Sequence, residues 1–112
     1  MKLKVAVIVV ALIMVGFASC KKKNNDTTKP WIEIKGFNPV YSELNKPYED
    51  LGAVVKDINA ANDTVDISGN LVVTDNVNTQ QVGKYEVKYN AADDAGNKAD
   101  EVTRTVYIQI FR

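Results

Sequence analysis

From Lys84 to Ala91 polar and apolar residues alternate without a break, so that Tyr85, Val87, Tyr89 and Ala91 share one face and Lys84, Glu86, Lys88 and Asn90 the other. A period of two is the signature of a strand buried on one side and wetted on the other. The cluster Asp93-Asp94-Ala95-Gly96-Asn97 carries turn chemistry, because Gly96 and Asn97 tolerate positive φ. A second alternating run spans Val102 to Ile110. Together they predict two long antiparallel strands joined as a hairpin.

The chain before them reads the same way in shorter pieces. Trp31 to Gly36 places Ile32 and Ile34 on one face, and Phe37-Asn38-Pro39 turns the chain. Val40 to Leu44 predicts a short edge strand, closed by Asn45-Lys46-Pro47. In Tyr48 to Asp57, Gly52 breaks any helix, while Ala53, Val55 and Asp57 share the inward parity. Thr64 to Ser68 and Leu71 to Thr74 predict two further strands around a tight turn at Gly69-Asn70, and Asp75 to Gln81 is irregular. No window after residue 20 sustains a helical period, and β-branched and aromatic residues fill the runs. Short strands with turn signals about every 6 to 12 residues predict an all-β Greek-key sandwich of about seven antiparallel strands, with a six-stranded barrel as the alternative. Tyr85, just after Gly83-Lys84, suits a tyrosine corner, its hydroxyl bonding back to upstream backbone.

The N-terminus is of a different kind. Lys2 and Lys4 precede an uncharged apolar run from Val5 to Phe17, and small residues lead into Cys20. This predicts a signal-peptide helix over residues 1–19, too short in its apolar part for the ~20 residues of a spanning helix. Cys20 is the only cysteine, so it has no internal disulfide partner. Phe17-Ala18-Ser19-Cys20 resembles a bacterial lipobox, with Phe17 where an aliphatic residue is usual. That resemblance implies cleavage before Cys20, a diacylglyceryl group on its sulfur, usually an acylated amino group, and a protein anchored to the membrane. Lys21, in place of the aspartate that retains such proteins at the inner membrane, implies the outer membrane. Residues 20–30 then read as a polar tether and 31–112 as the domain. Losing residues 1–19 removes two of the 14 basic residues and none of the 14 acidic ones, leaving 12 against 14. A mildly acidic domain with no clustered basic face argues against a nucleic-acid partner.

In order and spacing the domain resembles the bacterial immunoglobulin-like domains of unknown function found in surface proteins, in lipoproteins and on some pesticidal crystal toxins. The shared pieces are Pro30-x-Ile32-x-Ile34-x-Gly36, Asn38-Pro39-Val40, Tyr48-x-Asp50-x-Gly52-Ala53 running to Asp57, Val77-Asn78-Thr79 before Val82-Gly83-x-Tyr85, Tyr89-x-Ala91-x-Asp93-x-x-Gly96-Asn97, and Arg104-x-Val106. Leu51 stands where the family usually has proline, and Asn59 to Asp63 replaces its Asp-Gly-Asp type of loop. The resemblance implies an immunoglobulin-like sandwich with a binding or spacer role and no catalysis.

Histidine is absent, and neither a phosphate-binding glycine loop nor a nucleophile elbow appears, so no catalytic constellation and no cofactor are expected. Two groups of residues stand out. Asp57, Asp93, Asp94 and Arg104 carry charge, and Asp57, Asp93 and Arg104 fall on inward parity. A core-facing arginine needs carboxylate partners, so an ion-pair cluster fixing the strand ends is expected, with a calcium site as the alternative. Trp31, Tyr107 and Phe111 fall on outward parity and form a candidate aromatic surface for a glycan. The chain is thus expected to be an envelope lipoprotein whose domain binds a protein or glycan; the alternative is a structural spacer or accessory subunit.

Overall fold

In a computed structural model, residues 26–112 are described; the signal segment, Cys20 and the first part of the tether lie outside them. Seven strands follow one another: β1 (Trp31–Ile34), β2 (Val40–Glu43), β3 (Ala53–Ile58), β4 (Thr64–Asp66), β5 (Val72–Asp75), β6 (Gly83–Asn90) and β7 (Val102–Gln109). They form two sheets, one ordered β1-β3-β4 and the other β2-β7-β6-β5.

The two alternating runs become β6 and β7, paired antiparallel from Gly83↔Ile108 to Tyr89↔Val102. Their connection is pinched by the Ala92↔Lys98 bridge, and Gly96 (φ 92°) completes the turn. The Tyr85 hydroxyl donates to the Gln81 carbonyl at 2.7 Å, the corner expected from the sequence.

One pairing departs from the all-antiparallel expectation: β2 runs parallel to β7, in the register Val40↔Val106 to Glu43↔Gln109. The reason is the crossover at Gly36 to Pro39. Here β1, on the edge of the three-stranded sheet, passes to the edge of the four-stranded one without reversing. Gly36 makes the crossover possible with φ of 82°, where a Cβ would lie 2.5 Å from Leu51 Cδ1. A second crossover follows β4, where a 3₁₀ turn at Ser68–Asn70 carries the chain between sheets to β5.

Between the sheets lie Ile32, Ala53, Val55, Val87, Tyr89, Ala91, Ala99, Val106 and Ile108. This core is thin, and Tyr89 is its largest apolar member. Two charged residues share the burial, Asp57 and Arg104, at 3% and 0% exposure.

The segment Asp26–Pro30, read from the sequence as tether, lies against the sandwich. Thr28 Oγ1 donates to the Ile58 carbonyl at 3.0 Å, Lys29 pairs with Asp100 at 2.8 Å, and Pro30 is buried. The chain therefore enters the body of the fold five residues before β1.

Candidate functional site

Arg104 is the third residue of β7, paired with Val87 on β6, and its guanidinium reaches across to the other sheet. Nη1 donates to the Phe37 carbonyl at 2.6 Å, and Nη2 to the Lys35 and Gly52 carbonyls at 2.6 and 2.9 Å. Nε donates to the Tyr89 hydroxyl at 3.0 Å and lies 3.1 Å from Asp50 Oδ1. Asp50 in turn accepts from the Tyr48 and Tyr89 hydroxyls and from the Gly52 N–H. Burial raises the Asp50 pKa, but these donors and the arginine charge outweigh it and hold the carboxyl below its ordinary value. Burial and the Asp50 carboxylate push the Tyr89 hydroxyl up to about 12, so it stays a donor. The network ties the end of β1, the start of β3, β6 and β7 into one unit. No cysteine in the domain is available for an inter-sheet bridge, and this arginine supplies a polar substitute for one.

The four charged residues singled out above are thus divided. Arg104 takes Asp50, which lies in the loop before β3, and it meets neither Asp57 nor Asp93. Those two come together at the opposite end of β3 with Asp26 as third member, their oxygens within 4.8 Å of one another; Asp94 is exposed and outside the group. Asp57 Oδ1 accepts the Ile58 N–H at 2.8 Å. Asp93 accepts the Asn97 and Ala95 N–H groups and the Asn97 amide. Burial pushes the Asp57 carboxyl up, and the neighbouring Asp26 and Asp93 charges add to it. Asp93 is also raised by burial, but the Asn97 side-chain and backbone donors prevail and hold it low. The arrangement suits a carboxyl group on Asp57 facing a carboxylate on Asp93.

A pH dependence follows from that asymmetry. A group whose folded pKa is raised contributes stability at low pH and loses it as pH rises through the raised value. The domain should therefore gain stability as pH falls through the raised Asp57 value toward the ordinary carboxylate value of 3.8. Asp57→Asn, which keeps the acceptor for Ile58 and offers a donor to Asp93, should raise the neutral-pH stability by about 1 kcal/mol and flatten that gain. Thermal melts between pH 7.5 and 5 check this. The same three carboxylates are also what a hard cation would take. If calcium were their partner, millimolar calcium would raise the melting temperature of the wild type and Asp57→Asn would lower it.

The aromatic residues are likewise separated. Trp31 faces outward from the three-stranded sheet, its Nε1 donating to Glu33 Oε2 at 2.8 Å, with Lys56 3.6 Å from the same carboxylate. Tyr107 faces outward from the four-stranded sheet, on the other side of the sandwich. Phe111 has the same parity as Tyr107 but lies beyond the end of β7, half exposed. The partner of Tyr107 is a residue the sequence did not single out. Tyr41, 57% exposed, stacks on it with ring centroids 5.2 Å apart and planes 13° from parallel. The register Tyr41↔Tyr107↔Lys84 makes these three a row across β2, β7 and β6. Only the parallel β2–β7 pairing brings the tyrosines side by side. A concavity of about 680 Å³ lies elsewhere, beside the start of β5; Val72, Ala91, Ala92 and Ala99 line it with Asn90 and Lys98, and none of its lining residues is aromatic.

Two sheets joined by edge crossovers, a tyrosine corner and a buried polar bridge define an immunoglobulin-like sandwich with an open outer face. The chain belongs to the family of immunoglobulin-like domains of bacterial surface proteins, whose model matches residues 32–108. Among solved structures, the crystal structure of the lipoprotein BT2262 from Bacteroides thetaiotaomicron is similar in fold, with a TM-score of 0.59 and 21% identity. The match covers 74% of this chain and 39% of that one, so the chain spans well under half the length of that protein. No curated protein sequence matches the chain.

Proposed function

We propose that this is an outer-membrane lipoprotein, acylated at Cys20, whose surface-type domain is a non-catalytic binding module. The Tyr41–Tyr107–Lys84 row is its contact face and a glycan its ligand class. The single observation that carries the binding assignment is the tyrosine pair, held in register on an outer sheet face, with Tyr41 exposed and Tyr107 partly buried beside it. One ring face of each tyrosine is taken by the other. The outer face of Tyr41, on the edge strand, is left for a sugar ring, and Lys84 adds a cation for an acidic substituent.

A glycan array tests this. Binding by the wild type should fall about fivefold with Tyr41→Ala or Tyr107→Ala, each removing about 1 kcal/mol of stacking, with the melting temperature little changed. Binding that survives both substitutions removes the row as the contact face. A blank array with a co-purifying envelope protein supports the second reading, a spacer or accessory subunit. That reading draws on the geometry of the chain, which enters the sandwich at one end and leaves β7 at the other.

A further inference from the structure

The contacts of Asp26–Pro30 fix where the chain leaves the domain. The Asn97 amide donates to the Asp26 carbonyl at 3.0 Å, Thr28 binds the last residue of β3, and Lys29 is paired with Asp100. All three contacts are at one end of the sandwich, where the Asn59–Asp63 and Asp93–Asn97 turns lie. Each turn is internally bonded, Asn59 N–H to Asp63 and Asp93 N–H to Asn97, at 2.9 and 3.0 Å. The other end carries the loops after β2 and before β6, joined where the Asn45 N–H meets the Thr79 carbonyl at 2.7 Å. The two ends are about 25 Å apart, the length of an eight-residue strand.

Only residues 21–25 separate Cys20 from this clamp, and that length of chain reaches at most about 20 Å. Three of those five are Lys21, Lys22 and Lys23. The clamped end is acidic, with Asp26, Asp63, Asp93 and Asp94. Lysines placed between an acidic protein end and anionic headgroups are attracted to both, which orders the charges along the membrane normal.

We propose that Asp26–Pro30 is a fixed part of the domain and sets its orientation on the lipid surface. The Asn59–Asp63 and Asp93–Asn97 turns face the headgroups. The Leu44–Tyr48 and Thr79–Val82 loops face away, and with them the Tyr41–Tyr107–Lys84 row, which lies toward that end. The assignment rests on the lipid anchor at Cys20 proposed above, and it explains how a short anchor still presents a binding face outward.

The test uses the acylated full-length protein in lipid vesicles carrying a headgroup-attached quencher. With Cys20 consumed by acylation, a fluorophore is placed through Ala61→Cys at the clamped end or Gln80→Cys at the other. The label at position 61 should be quenched several-fold more strongly than that at 80. Adding Thr28→Ala, Lys29→Ala and Asn97→Ala, which together remove the three side-chain contacts of the clamp, should bring the two values together while circular dichroism stays native. Equal quenching in vesicle-bound protein with the clamp intact overturns the orientation and leaves the anchor standing. Protein that remains in the supernatant overturns the anchor, and the orientation with it.

Discussion

Replacing Arg104 with alanine is expected to destabilise the domain by about 3 to 5 kcal/mol, the scale for removing one partner of a buried charge pair. The guanidinium is fully buried, and its loss takes the donor from the Lys35 and Phe37 carbonyls and the Tyr89 hydroxyl, leaves the Gly52 carbonyl with the Lys35 N–H alone, and leaves the Asp50 carboxylate with neutral donors and no counter-charge. For a domain of this size each kcal/mol moves the melting temperature by about 4 to 8 °C, so a fall of about 20 °C is expected. Arg104→Lys keeps the charge but not the planar fork that serves three carbonyls, and it should recover only a minor part. Arg104→Met keeps the stem and tests whether packing alone suffices; it should resemble alanine. Denaturant titration of the three variants decides the matter, and an alanine variant within about 1 kcal/mol of wild type would remove the bridge from the account of the fold. The acid limb has the opposite sign from that of Asp57. Because Asp50 has a depressed folded pKa, its contribution is present above the ordinary carboxylate value of 3.8 and is lost as pH falls through the lowered one. Wild type should thus be most stable in mildly acid solution, and the alanine variant should show a weakened Asp50 limb, since the Tyr48, Tyr89 and Gly52 donors remain.

Much of this was legible because alternation is a local property. Tyr85, Val87 and Tyr89 face the core for the reason the sequence gives, and Arg104 is inward by the same parity. Its partner was not legible by parity, since Asp50 lies in a loop where facing has no meaning. The signal was nonetheless present in the motif Tyr48-x-Asp50-x-Gly52, three residues that all join the network. Asp57 and Arg104 are charges of one parity, but strand length separates them: Gly52, just before β3, receives the arginine, and Asp57 lies near its far end. Tyr41 was out of reach for a different reason. Its pairing with Tyr107 depends on a sheet crossover and a parallel register between segments far apart in the chain, which no short window contains. The docking of Asp26–Pro30 was hidden because it runs through a main-chain carbonyl, a threonine hydroxyl and an exposed ion pair, none of which interrupts a polar composition.

The anchor carries the second large effect. Each acyl methylene taken into the bilayer contributes about 0.8 kcal/mol, so one chain gives a marginal, reversible hold and two or three exceed anything the domain surface offers. Cys20→Ala should therefore move the protein almost wholly from the membrane fraction to the soluble one. The expected readouts are loss of the detergent-phase shift and of labelled fatty acid. The domain itself should be unaffected, since among the described residues its contacts run from Asp26 onward, and its melting temperature should match that of the acylated form in detergent. A Cys20→Ala protein that stays in the membrane fraction would show attachment through the domain or through an uncleaved apolar segment. The first of these can be separated from the second by expressing residues 26–112 alone: a domain that binds vesicles without Lys21–Lys23 and without lipid would have a membrane surface of its own, and a domain that does not leaves the anchor as the whole of the attachment.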